Sequence, residues 1–413
     1  MKTLTRLRLI SLVWAAGAAG PACWAAEAVP MPGTAPLLEE SDLTQRVIDG
    51  AVAFMAEEVR RVAASRSAMW KPDYSSRPAH ELSVEPNRKR FRSYIGLADP
   101  RVTVDDVQLV ATVSQPALVA ETDRFSVFAV RWPVLAGVDA EGLLLEPKGH
   151  VVAQVIVLPD ADESPESVAG LEAGIPGRRQ VARRLAESGC RVLVPTLIDR
   201  SSQWSGQPGG IRSPNLSHRE FVYLFAYPLG RHIIGYEVQR TLAAVDYFKS
   251  RDAALPVGVA GYGEGGLIAL DSAAADTRID SAFVSGYFQE REELSQEPNY
   301  RNVWGILHEF GDAGVAALVA PRGLVVEAAR GPEGPGRPKT ASPPEAKHGR
   351  LKSPPIESVR AEFERASGHY RRLGAPGNLT LAVSGDGQGA AFADPGVAAF
   401  LRLLGAGRPA AVA

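Results

Sequence analysis

Six short, continuous apolar runs alternate with stretches of helical periodicity over residues 151 to 405: VVAQVIVLP from Val151, RVLVP from Arg191, PVGVAG from Pro256, SAFVSG from Ser281, GLVVEA from Gly323 and LTLAVSG from Leu379. Runs with no polar alternation must be buried on both faces, and the intervening helices supply the cover. The expected architecture is α/β, a mostly parallel sheet with helices on both faces. VQLVATV, RFSVFAVRWPVL and EGLLLEP precede this series and are expected to open the sheet as antiparallel strands. Helices are expected at Arg178 to Glu187, Gly230 to Phe248, Gly265 to Ala274, around Val303 to Leu318, near Glu357 to Arg372 and near Val397 to Leu404.

The chain begins with an export signal: Lys2, Arg6 and Arg8, an apolar stretch from Leu9 to about Ala19, then small residues, with cleavage expected after Ala28. That apolar stretch falls short of the ~18 to 20 residues that span a bilayer, so the mature chain is expected to be periplasmic or extracellular with no membrane span. Cleavage removes Cys23 and leaves Cys190 alone, which rules out an intramolecular disulfide. Charges nearly balance, at a formal net of -2, and no basic run or interleaved aromatic patch points to nucleic acid.

Residues 29–98 read as an N-terminal helical extension. Val47, Ala51, Phe54, Met55 and Val59 stand at helical spacing, and the sequence then turns polar and Pro-interrupted to about Arg92. The main domain is placed at 99–405. Within it residues 330–355, rich in Pro, Gly and charge, read as an exposed mobile loop.

PVGVAG runs through GYGEGG into LIALDSAAA, the strand, tight turn and helix that a nucleophile elbow requires. With the closing pattern HYRRLGAPGNLTLAVSGDGQG, this stretch resembles the α/β-hydrolase superfamily, in the branch of dienelactone hydrolases and acetyl xylan esterases. The resemblance covers roughly residues 100 to 405. It implies an α/β-hydrolase fold and carboxylic-ester hydrolysis by Ser, His and Asp or Glu, with no cofactor and no metal.

Matched to that pattern, Gly263 occupies the serine position and about Gln388 that of the histidine, while Glu327 is the positional match for the orienting acid, with Glu333 second. The resemblance also assigns oxyanion donors to the backbone N–H of Glu264 and to the loop at Asp160 and Ala161. Glu264 is alternatively read as a nucleophile in a shifted register, and either Glu264 or Asp199 as the activator of a water lodged in place of the serine side chain. His369 reads as a solvated surface residue, and His348 falls in the mobile loop.

The loop after RVLVP places Asp199, Arg200, Trp204, Arg212 and His218 on the rim where open α/β sheets bind ligands. Trp204 offers a stacking surface or a cap on the core. Arg231 offers a carboxylate clamp or an ion pair with Glu237 or another acid, and the neighbouring His232 reads as a satisfied helix residue. His308 and Asp312 share a helix face while Glu309 turns away, which is too few ligands for a metal. Two classes of function follow: an ester hydrolase with relocated chemistry, or a non-catalytic descendant that binds a carbohydrate, acyl compound or protein. They part on whether a carboxylate or histidine points into the space above Gly263, since an empty, apolar space there would sink the first. Oligomeric state is not legible.

Overall fold

The computed structural model describes residues 31–34, 42–206, 210, 212–213, 215–335 and 349–407. The export segment at 1–28, Cys23, His348 and the centre of the 330–355 loop lie outside these. Two compact units divide the chain, Met1–Met55 and Ala56–Ala413. The described part of the first is a turn at 31–34 and the opening of helix α1 (Leu43–Ser65), where Asp42 Oδ1 accepts the Thr44 N–H at 2.8 Å. No residue of α1 is buried.

A second helix stands in the polar, Pro-interrupted part of the 29–98 helical extension, where the sequence pattern placed no individual helix. Helix α2 (Arg77–Tyr94) is capped by Ser76, whose hydroxyl accepts the Ala79 N–H. Its Pro78 lies in the first turn, where no intrahelical N–H bond is lost. Arg88 on this helix is fully buried and donates to Ala274 O (2.6 Å) and Leu318 O (2.9 Å). A guanidinium thus satisfies carbonyls at the ends of two core helices.

Strands β1 (Phe125–Leu135) and β2 (Val138–Pro147) form an antiparallel hairpin, as the pattern predicts. VQLVATV, by contrast, contributes only the pair Gln108–Leu109. The series then runs β3 (Ala153–Leu158), α3 (Val181–Glu187), β4 (Cys190–Pro195), α4 (Ile233–Arg251), β5 (Val257–Tyr262), α5 (Glu264–Ala275), β6 (Ser281–Ser285), α6 (Asp312–Val319), β7 (Gly323–Ala328), α7 (Ile356–Arg372), β8 (Leu379–Val383) and α8 (Asp394–Leu403). Among the described residues the main sheet has ten strands, in spatial order β1-β2-β4-β3-β5-β6-β7-β8 with the Gln108–Leu109 and Leu118–Glu121 segments beside β1. From β4 to β8 every pairing is parallel.

Successive strand residues feed opposite cores. Ile156, Val259 and Val326 pack with α2, α4, α5, α6 and α7, whereas Val155, Ala260 and Val325 pack with α3 and α8. Burial on both faces explains the absence of polar alternation. Cys190 belongs to the second core, and burial pushes its thiol up to about 12. The chain leaves β3 toward β4 and returns on the other side at β5, so a crevice forms at the carboxyl ends of β3 and β5. In a separate two-stranded sheet Gly334–Pro335 pairs with Arg350–Leu351, which ties together the described ends of the 330–355 loop.

Candidate functional site

Gly263 joins β5 to α5 with φ 57° and ψ -115°, the strained corner of a nucleophile elbow. The turn packs too tightly for side chains. A Cβ on Gly261 would collide with the Gly265 carbonyl, and one on Gly265 with the Leu158 carbonyl. At Gly263 a Cβ would lie 2.5 Å from Asp160 Oδ1 and 2.8 Å from Pro332 Cγ.

A carboxylate therefore does point into the space above Gly263, and it belongs to Asp160. Its Oδ1 accepts the Glu264 N–H at 2.9 Å, the donor expected to face a substrate oxyanion. Arg200 grips the same carboxylate at 2.6 and 3.1 Å, and also donates to Tyr300 Oη (2.9 Å) and Asp162 (3.0 Å). The Asp160 N–H lies 3.4 Å from Glu163 Oε2, and Ala161 is buried. Burial opposes ionisation of Asp160, but the Arg200 charge outweighs it and holds the carboxyl below its ordinary value.

Glu264 is 1% exposed and meets Arg301 at 2.6 Å, while Arg301 also bonds Glu297 at 2.7 Å. Burial pushes the Glu264 carboxyl up, yet Arg301, Arg219 and Arg200 together bring it down to about 2. Arg219 lies 5.0 Å over the Tyr300 ring and makes a fork to Glu237 at 2.9 Å. The elbow thus opens onto a buried lattice of arginines and acids in which the carboxylates are matched by guanidinium forks.

Glu327 ends β7, opposite Ser285 at the end of β6. It accepts the Ser285 hydroxyl at 2.5 Å and the backbone N–H groups of Phe392 and Ala393 at 2.6 and 2.8 Å. Burial dominates over these donors and pushes its carboxyl up to about 7. The acid clamps the loop on which a histidine was sought, and Gln388 of that loop is exposed. Glu333 pairs with Arg330 and Ser353 at the surface.

The remaining candidates are dispersed. Asp199 Oδ1 holds His218 Nδ1 at 2.5 Å, and His218 Nε2 accepts the Trp204 N–H at 2.7 Å, which leaves neither ring nitrogen open. Trp204 is 68% exposed, with the Arg212 guanidinium 5.9 Å from its ring. Arg231 pairs with Asp99 at 2.5 and 2.7 Å rather than with Glu237. His232 caps α4, and burial pushes its ring down to about 4. Glu309 binds Arg90 and Asn87, and Asp312 binds Arg291. Among the described residues no group of three or more His, Cys, Asp or Glu is placed to hold a metal ion.

His369 departs from its reading as a solvated residue. It bonds the Tyr74 hydroxyl at 2.8 Å, and burial pushes its ring down to about 4. The helical periodicity placed His369 on α7, but it carried no sign that Trp70 and Tyr74 would cover that face. Arg301, Tyr300, Ser285 and Pro332 were likewise unread. Each arrives from a loop or strand end distant in sequence, and the one local signal was that Ser285 and Glu327 close adjacent strands.

No protein-family model and no curated protein matches this sequence. In structure the chain is similar to a protein of Bacteroides fragilis NCTC 9343 provisionally named an acetyl xylan esterase, at 13% identity over 84% of both chains with a TM-score of 0.54. It is also similar to a methylesterase, at 16% identity over 84% of this chain and 67% of the other, with a TM-score of 0.51. The sheet order, the crevice and the elbow agree with these likenesses, and the chain has the α/β-hydrolase fold.

Proposed function

We propose that this protein descends from carboxylic-ester hydrolases and acts after export as a carbohydrate-binding protein without turnover. The observation that carries the reading is Asp160, whose carboxylate occupies the oxyanion donor of Glu264 and the volume a serine side chain needs. A fixed anion in that seat excludes the developing oxyanion that the elbow exists to stabilise. Asp160 and Glu264 are also poor bases: both are neutralised by forks from Arg200 and Arg301, and their depressed proton affinity works against general-base catalysis near neutral pH.

Carbohydrate is favoured as the ligand because both similar structures carry esterase names, one of them for acetyl xylan, and because an aromatic cleft is present. Tyr94, Tyr227 and Trp304 line a cavity of about 390 Å³ with Arg231 and His232. Trp304 is 72% exposed, and its ring lies 6.5 Å from that of Tyr94. Flat aromatic faces beside polar donors suit a sugar ring. Export rests on residues 1–28; among the described residues no helix is long and apolar enough to cross a membrane.

Calorimetry with acetylated xylo-oligosaccharides, run beside an assay for released acetate, tests the reading. Binding that weakens about tenfold in Trp304→Ala, roughly the worth of one well-placed aromatic contact, with no acetate release, is expected. Catalytic release of acetate would overturn it.

A further inference from the structure

A second cavity, of about 490 Å³, lies between the 63–74 segment, α6 and α7, and none of the elbow residues lines it. Part of its lining is apolar, formed by Trp70, Pro72, Tyr74, Ala313 and Gly314, and the rest is polar or charged. The Trp70 indole is fixed by its Nε1–H to Glu309 O at 3.0 Å and packs edge-on against Phe310. A rigid aromatic wall of this kind is typical of small-molecule pockets, and the volume falls within their usual range of roughly 300 to 1,000 Å³.

The named charges around the cavity balance, four arginines against four acids, because Arg365 is shared by two of the acids. Glu309 is matched by Arg90 and Asn87. Arg66 is engaged by Glu292 and Leu307 O, and Arg365 by Glu290 and Glu362. Arg372 alone of the lining arginines has no acid paired with it among the described residues; its guanidinium sits 3.7 Å over the Tyr74 ring. Stacking on an aromatic face leaves the N–H edge of a guanidinium available for a carboxylate fork.

His369 stands beside it. Its Nδ1 shares a hydrogen bond with the Tyr74 hydroxyl at 2.8 Å, and in the tautomer that accepts there the neutral ring carries its proton on Nε2, a second donor among the lining residues.

We infer that this cavity binds a small monocarboxylate with a flat apolar body, held by Arg372 and His369 at its charged end and by Trp70 and Tyr74 along its ring. Arg372, the one lining arginine with no acid paired with it among the described residues, favours a single negative charge over a phosphate dianion, which Glu309 and Glu362 would repel more strongly. The site is independent of the elbow and of the Trp304 cleft, so it stands or falls without the carbohydrate reading.

Calorimetric titration of the mature protein with 2-naphthoate and with the uncharged 2-naphthamide tests it. Saturable naphthoate binding is expected, at least tenfold tighter than naphthamide, weakened tenfold or more by Arg372→Gln and severalfold by His369→Ala, and unchanged by Trp304→Ala. Arg372→Lys, which keeps the charge and loses the fork, is expected to fall between wild type and Arg372→Gln. Failure of the wild type to bind naphthoate, or equal binding of the amide, overturns the inference. So does undiminished affinity in a folded Arg372→Gln protein. The acid-to-amide comparison needs no variant and decides the matter even where a substitution unfolds the chain.

Discussion

Glu264 and Glu327 are both 1% exposed, and both stand near the carboxyl ends of central strands, yet their surroundings push them in opposite directions. Glu264 lies among Arg301, Arg219 and Arg200 and titrates near 2; Glu327 is held by one hydroxyl and two backbone N–H groups and titrates near 7. Burial raises both carboxyls. At Glu264 three guanidinium charges overcome it, whereas at Glu327 the neutral donors and the weaker effect of the Arg184 charge oppose it without reversing it. The elbow is therefore faced by an ion lattice, and Glu327 by a clamp built mainly of neutral hydrogen-bond donors.

The comparison breaks most sharply on Arg301. Replacing it by Leu strands the Glu264 charge in the interior and is expected to cost about 3 to 5 kcal/mol in denaturant unfolding at pH 7. A loss below about 1 kcal/mol would mean the lattice is not what holds the elbow.

Acid and neutral pH separate the two sites next. Glu264 has a depressed folded value, so its contribution is present above about 4.5, the ordinary glutamate value, and is lost as pH falls toward 2. Glu327 has a raised folded value, so its contribution is complete below about 4.5 and is lost as pH rises through 7. Each window spans roughly 3 kcal/mol, since every tenfold change in proton affinity is worth about 1.4 kcal/mol. Glu327→Gln is expected to flatten stability between pH 4.5 and 7 and leave the acid limb, while Glu264→Gln does the reverse. The smallest effect is expected from Ser285→Ala, which removes one donor from Glu327 at a cost of about 1 to 2 kcal/mol and raises its titration point further.

The sheet was legible because β3 to β7 are buried on both faces, and continuous apolar runs leave few other folds. Helix α2 was hidden by its own chemistry. Buried Asn87 and Arg88 make it read as polar surface, although Arg88 serves the carbonyls of Ala274 and Leu318. The elbow could be read from the glycines that its close approach demands. What fills the elbow could not, because Asp160, Arg200, Glu264 and Arg301 lie on four separate segments, and spacing along a chain carries no record of such convergence. Asp160 was read through its backbone, as an oxyanion donor, whereas its side chain takes the acceptor's place.

Whether the elbow carries chemistry is decided by hydrolysis of p-nitrophenyl acetate by the wild type and by Asp160→Ala, Glu264→Gln and Gly263→Ser. No wild-type rate above buffer is expected. None is expected in Gly263→Ser either, since Asp160 still holds the Glu264 N–H and Gln388 supplies no base. A wild-type rate above buffer that Asp160→Ala or Glu264→Gln abolishes would contradict this expectation, and would place working chemistry on the very carboxylates that Arg200 and Arg301 hold in ion pairs.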